Sequence, residues 1–130
     1  MKKLILITLV LLVAFSCKKI TKEPEGPTDV RIKNLTTVNM TELTISTGGG
    51  EYNFGLLKAD SLSVYHRFIK AYPKANITAI INGQKYKTDT VTYGWMQYMG
   101  QMKITYKIYI LSDAQKKLAI SDVVPEGPLK

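Results

Sequence analysis

Ile77-Thr78-Ala79-Ile80-Ile81-Asn82-Gly83-Gln84-Lys85-Tyr86-Lys87-Thr88-Asp89-Thr90-Val91-Thr92 is the stretch on which the fold turns. A β-branched run, Ile77 to Ile81, is followed by Asn82-Gly83, a pair that accepts the positive φ of a tight primed turn. Lys85 to Thr92 then supplies a second strand-like run, so the stretch predicts a β-hairpin. On its C-terminal side, Lys103 to Leu111 and Leu118 to Val124 flank the turn-rich Ser112 to Lys117 and predict another. On its N-terminal side, Val30 and Ile32 alternate with Arg31 and Lys33, and Leu43 and Ile45 share one face of Thr41 to Ser46. Gly48-Gly49-Gly50 then marks a turn. Tyr52 and Phe54 open a third strand, Lys58 to Asp60 turns it, and Leu62, Val64, His66 and Phe68 share one face of a fourth.

Seven or eight strands with no helical period predict an all-β domain. Turn signals every 8 to 12 residues favour an antiparallel β-sandwich, with a small barrel as the alternative. The expected core is Ile32, Leu43, Ile45, Val64, Ile77, Ile81, Ile104, Tyr106 and Ile108. The chain has 130 residues, room for one such domain. Its single cysteine, Cys17, leaves no disulfide framework within the chain, so burial and strand pairing must hold the fold.

The first seventeen residues set the expected address. Lys2 and Lys3 precede an uncharged run, Leu4 to Phe15, and Ala14-Phe15-Ser16 places small residues where a signal peptidase reads. That run is shorter than the roughly 20 residues a spanning helix needs. Cys17, directly after Ser16, resembles the lipidated cysteine of a bacterial lipobox; ordinary secretion is the other reading, since Ala-x-Ser suits the general signal peptidase. The expected organisation is therefore a cleaved signal peptide at 1–16, a lipidated N-terminus and flexible tether at 17–28, a β-domain at 29–124 and a tail at 125–130. Pro-Glu-Gly-Pro occurs at both domain edges, Pro24 to Pro27 and Pro125 to Pro128. With no Asp after Cys17, lipoprotein sorting suggests the outer membrane, on either its periplasmic or its surface-facing side.

Four stretches, VRIKNLT (30–36), YNFGLLKADSLSVYHRFIKAYP (52–73), ITAIINGQKY (77–86) and KITYKIYIL (103–111), resemble a group of small lipoproteins of Bacteroidota type. In that group a YGxLKAGxxSxYxxFxxAY stretch precedes an xxIxGxxY hairpin and a GKYTYxLxI strand. The resemblance spans roughly residues 30–111. It implies an immunoglobulin-like or transthyretin-like sandwich and carries no catalytic or ligand residue.

Chemistry is sparse. Asp60, Ser61, Ser63 and His66 are the only neighbouring acid, hydroxyl and imidazole. On an extended strand, however, Ser61 and His66 lie about 16 Å apart on opposite faces, far beyond the roughly 3 Å a nucleophile and its base require. His66 is expected to be a partly buried strand residue. The carboxylates are scattered singly, so no metal site is expected, and no cofactor; Gly48-Gly49-Gly50 lacks the Lys-Ser/Thr of a phosphate loop. The net charge of +8 falls to +6 once the signal takes Lys2 and Lys3. The cations form no stripe, so nucleic acid is not an expected partner. One segment stands out. Tyr93-Gly94-Trp95-Met96-Gln97-Tyr98-Met99-Gly100 places Trp95, Tyr93, Tyr98 and Met96 in an inter-strand connection, where aromatic anchors contact partners or sugars; the alternative is that it caps the core. The expected function is a lipid-anchored, non-catalytic binding or structural module of the cell envelope, contacting an envelope protein or glycan. The other reading is an envelope enzyme or enzyme inhibitor whose site is gathered from several loops.

Overall fold

A computed structural model describes residues 26–94 and 96–129. The described residues are all-β, with eight strands: β1 (Thr28–Asn34), β2 (Thr41–Thr47), β3 (Gly50–Asn53), β4 (His66–Phe68), β5 (Asn76–Ile81), β6 (Gln84–Lys87), β7 (Met102–Ser112) and β8 (Lys117–Pro128). No helix among the described residues is long and apolar enough to cross a membrane. The expected signal peptide, Cys17 and most of the expected tether fall on residues 1–25, which lie outside the described residues.

The strands form one mixed sheet in the order β3-β2-β5-β6-β8-β7-β1-β4. This differs from the separate antiparallel sheets expected. β1 runs parallel to β7, from Asp29 opposite Lys103 to Asn34 opposite Ile108, and β6 meets β8 in parallel. Hairpin signals report only strands adjacent in sequence, whereas a parallel neighbour needs a long crossover, here supplied by β2 to β6. The middle of the sheet is thinly joined, with Lys87 opposite Lys117 as its registered pair. At the outer ends, the Tyr52 ring of β3 stacks on His66 of β4 at 3.6 Å between centroids and 9° between planes. The sheet therefore curls until its two edges meet, close to a barrel.

Asn82-Gly83 forms the expected turn, with φ of 51° and 76°. Ile81 then faces Gln84, and Ile77, Ala79 and Ile81 all point inward. The hairpin is shorter than expected, because its second arm ends at Lys87. Beyond it, Thr88 N–H still donates to Ile77 O at 2.9 Å, but Ile77 N–H turns to the Thr88 hydroxyl at 3.0 Å and Val91 N–H to the Asn76 side chain at 2.8 Å, so side chains replace the ladder.

The expected core is buried except for Val64, which is 72% exposed. The cause is register. Lys33 pairs with Leu62 and Val30 with His66, so four steps on one chain oppose three on the other. One extra residue reverses the face, leaving Phe68 inside and Leu62 and Val64 outside. β8 also runs on through the second Pro-Glu-Gly-Pro, with Ile104 opposite Pro125 and Met102 opposite Pro128. Glu126 accepts the Thr105 hydroxyl at 2.9 Å and pairs with Arg31 at 3.5 Å, so these residues belong to the domain and not to a tail. At the other edge, Thr28 is fully buried and opens β1, so the tether ends before it.

Asn34, fully buried at the end of β1, acts as a polar hub. Its amide donates to Val38 O at 2.9 Å, Lys58 O at 3.2 Å and Leu57 O at 3.4 Å, while its oxygen accepts the Thr36 N–H at 2.9 Å and the Thr36 hydroxyl at 2.6 Å. Two turns are thereby closed around one side chain.

The Gly48-Gly49 turn lies against the chain after β4. A Cβ on Gly49 would stand 2.5 Å from Lys70 N and 2.9 Å from Lys70 O, both backbone atoms that cannot swing aside. Gly49→Ala is therefore expected to cost about 1–3 kcal/mol of overpacking. Equilibrium urea unfolding checks this, and wild-type stability in the variant would show that the turn is free to move.

Candidate functional site

The connection from β4 to β5, residues 69–75, carries Tyr72, which is 7% exposed. Three contacts fix that connection. The Tyr106 hydroxyl, rising from the core on β7, donates a short hydrogen bond to Tyr72 O. Thr47 at the end of β2 donates its hydroxyl to Lys70 O at 2.8 Å. Met99 N–H donates to Ala71 O at 2.8 Å, tying the Tyr93–Gly100 loop down alongside.

Tyr72 then gathers two more rings. Tyr93 stacks on it at 4.5 Å and 24°, and Tyr98 meets it edge-on at 5.3 Å and 76°. The Tyr93 hydroxyl donates to Ser46 O at 2.9 Å and accepts from the Asn76 amide at 3.4 Å. Lys70 Nζ donates to the Tyr98 hydroxyl at 2.9 Å. Gly48 completes the wall, since a Cβ there would fall 2.5 Å from the Tyr72 ring. The result is a cleft of about 400 Å³ lined by Gly48, Tyr72, Tyr93, Gly94, Met96, Gln97 and Tyr98.

Burial raises the Tyr72 pKa, as does the neighbouring Tyr98 phenol, while the Lys70 ammonium pulls it down. Burial also raises Tyr93, helped by Tyr72 and opposed by its contact with Asn76. Both phenols are therefore neutral at physiological pH. They can donate or accept hydrogen bonds but carry no charge.

Of the residues singled out in the sequence, Tyr93, Met96 and Tyr98 come together in this cleft, whereas Trp95 and Cys17 lie outside the described residues. The same loop borders two further hollows. Met96 reaches an apolar groove of about 360 Å³ beside Leu118 and Ile120, and Tyr98 reaches a hollow of about 460 Å³ with Pro27, Ile69 and Lys70. Loop and cap are combined here, because Met99 packs against the core while Gln97 stays exposed. Sequence reasoning missed Tyr72. The available signal was Gly48-Gly49-Gly50, one glycine more than a two-residue turn uses, which marks a close approach as well as a turn.

The acid, hydroxyl and imidazole tested in the sequence serve separate purposes. Ser63 Oγ accepts Ile32 N–H at 2.9 Å and donates to Val64 O at 2.8 Å, and Ser61 Oγ donates to Lys58 O at 2.6 Å. Asp60 pairs with Lys33 at 3.0 Å, and His66 sits between the Tyr52 and Phe68 rings. Among the described residues, no group of three or more His, Cys, Asp or Glu could hold a metal ion.

No family model matches the chain. No curated protein matches it either. Among solved structures, it is similar to the NMR structure of a protein from Eubacterium rectale, at 14% identity and a TM-score of 0.49, over 79% of this chain and 96% of that one.

Proposed function

We propose that this protein is a lipid-anchored binding module of the cell envelope that performs no chemistry, and that it holds its partner in the tyrosine cleft. The observation that carries this reading is the placement of residues 93–94 and 96–100 on three neighbouring hollows, with Tyr93 and Tyr98 fixed by hydrogen bonds from three other segments. Side chains already locked in place lose little freedom when a ligand arrives, which favours recognition. The hydroxyls and imidazole that catalysis would need are occupied elsewhere in the fold. In this reading the two four-stranded halves, β3-β2-β5-β6 and β8-β7-β1-β4, act as the leaves of an immunoglobulin-like or transthyretin-like sandwich.

The anchor is Cys17, exposed by cleavage of residues 1–16, and the location is the outer membrane. Three acyl chains at about 0.8 kcal/mol per buried CH₂ hold a protein far more firmly than the marginal grip of one chain. Cys17→Ala is therefore expected to move the protein from the membrane fraction to the soluble fraction. Fractionation followed by immunoblotting reads this directly, and equal membrane retention of the variant would remove the anchor from the proposal.

A further inference from the structure

We infer that the cleft binds a neutral carbohydrate chain, with Tyr98 as the partition between two adjoining sugar subsites. The inference rests on the binding role proposed for the cleft and specifies its ligand. A pyranose presents C–H faces with a rim of hydroxyls, so it needs an aromatic surface beside neutral hydrogen-bonding groups. The cleft has this composition, with the Tyr93 and Tyr98 rings beside the Gln97 amide and the Tyr72 and Tyr98 hydroxyls, the Tyr93 hydroxyl being taken by Ser46 O and Asn76; its described lining residues hold no ionisable group other than the phenols. The one cation nearby, Lys70 on the wall of the adjoining hollow, is already engaged with the Tyr98 hydroxyl and ring.

The chain-like character comes from the neighbouring hollow. Tyr98 lines both the 400 Å³ cleft and the 460 Å³ hollow beside Pro27 and Ile69, and each lies within the range of small-molecule sites. A ligand longer than one ring can therefore pass over Tyr98 from one to the other. Lys70 donates to the Tyr98 hydroxyl oxygen and lies 4.5 Å from its ring centre, which sets that wall in place. A peptide strand finds fewer partners here, because two of the loop's backbone N–H groups are already taken. Met96 N–H goes to Tyr93 O and Met99 N–H to Ala71 O.

The test uses the full-length, detergent-solubilised protein, titrated calorimetrically with cellotetraose, mannotetraose and chitotetraose, with the matching monosaccharides, and with tetragalacturonate as an acidic comparison. At least one neutral tetrasaccharide is expected to bind saturably, at least tenfold more tightly than its monosaccharide and than the acidic chain. Tyr98→Ala is expected to weaken it at least tenfold, and the exposed Gln97→Glu to weaken it severalfold with an unchanged melting temperature, which covers any folding defect in the first variant. Tight binding by the acidic chain alone, or binding indifferent to both substitutions, overturns the inference. A photo-crosslinker at position 97 in intact cells separates the two levels. A protein adduct without saccharide binding overturns the carbohydrate and keeps the cleft, whereas neither adduct nor saccharide overturns both.

Discussion

Tyr106→Ala is expected to remove most of the stability of this domain. Its ring is fully buried in the core, and emptying a site of that size costs about 3–5 kcal/mol. Its hydroxyl holds Tyr72 O, so truncation also strands a buried carbonyl, at about 1–3 kcal/mol more. Against a typical domain stability of about 5–15 kcal/mol, the variant should be largely unfolded at modest urea. Tyr106→Phe keeps the ring and should lose only the second component. The pair is read by urea denaturation followed in far-UV circular dichroism, and equal midpoints for the two variants would mean that the cavity contributes nothing.

The same residue sets an alkaline limit. Burial raises the Tyr106 pKa far above its usual value near 10, with a further push from Tyr93 and an opposing pull from its bond to Tyr72. The folded state thus keeps the proton that the unfolded state gives up. This contribution is fully present below about pH 10 and declines as pH rises beyond it, by up to about 1.4 kcal/mol per pH unit. Stability measured between pH 8 and 11 should fall more steeply in the wild type than in Tyr106→Phe.

Asn34→Ala is the second large effect. The substitution removes the shared partner of three carbonyls and of the Thr36 N–H and hydroxyl, at a site with no solvent access. Each carbonyl keeps one other donor, Thr36 Oγ1 to Val38 O, Met40 N–H to Leu57 O and Ser61 Oγ to Lys58 O, so the Thr36 N–H is the group left unpaired, and a loss of about 1–3 kcal/mol is expected. Asn34→Asp should recover little, because its carboxylate can accept from Thr36 but would sit buried against the carbonyls of Val38, Leu57 and Lys58, to which it cannot donate. Thermal melting of the two variants checks this, and a full rescue by Asp would show that the accepting half of the hub is what matters.

Local signals in the sequence reached the strands that pair with their neighbours. Asn82-Gly83 announced one hairpin and Ser112 to Lys117 another, and alternation placed Tyr106 and Ile108 inward correctly. What escaped was non-local. The parallel partnership of β1 with β7 leaves no mark in either strand, and the extra residue between Leu62 and His66 is invisible until a partner sets the register. The continuation of β8 through Pro125 and Pro128 was hidden behind residues that ordinarily end strands. In the cleft, the aromatic loop was conspicuous because its rings sit together in sequence. Tyr72 was not, since it reaches Tyr93 and Tyr98 only through the path of the chain between β4 and β5.

The position at which the chain enters the fold has a geometric consequence. Gly26 and Pro27 border the hollow behind Tyr98, and Thr28 donates its hydroxyl to Gly100 O at 2.6 Å, so the entry point and the cleft share one end of the domain. With a lipid on Cys17, residues 18–25 reach at most about 3.3–3.6 Å each, a standoff under about 30 Å. Under the proposed anchoring, the cleft would work within a thin layer above the bilayer, and the width of that gap would act as a size filter. Inserting residues between Lys18 and Glu25 should admit bulkier ligands without altering any atom that touches them.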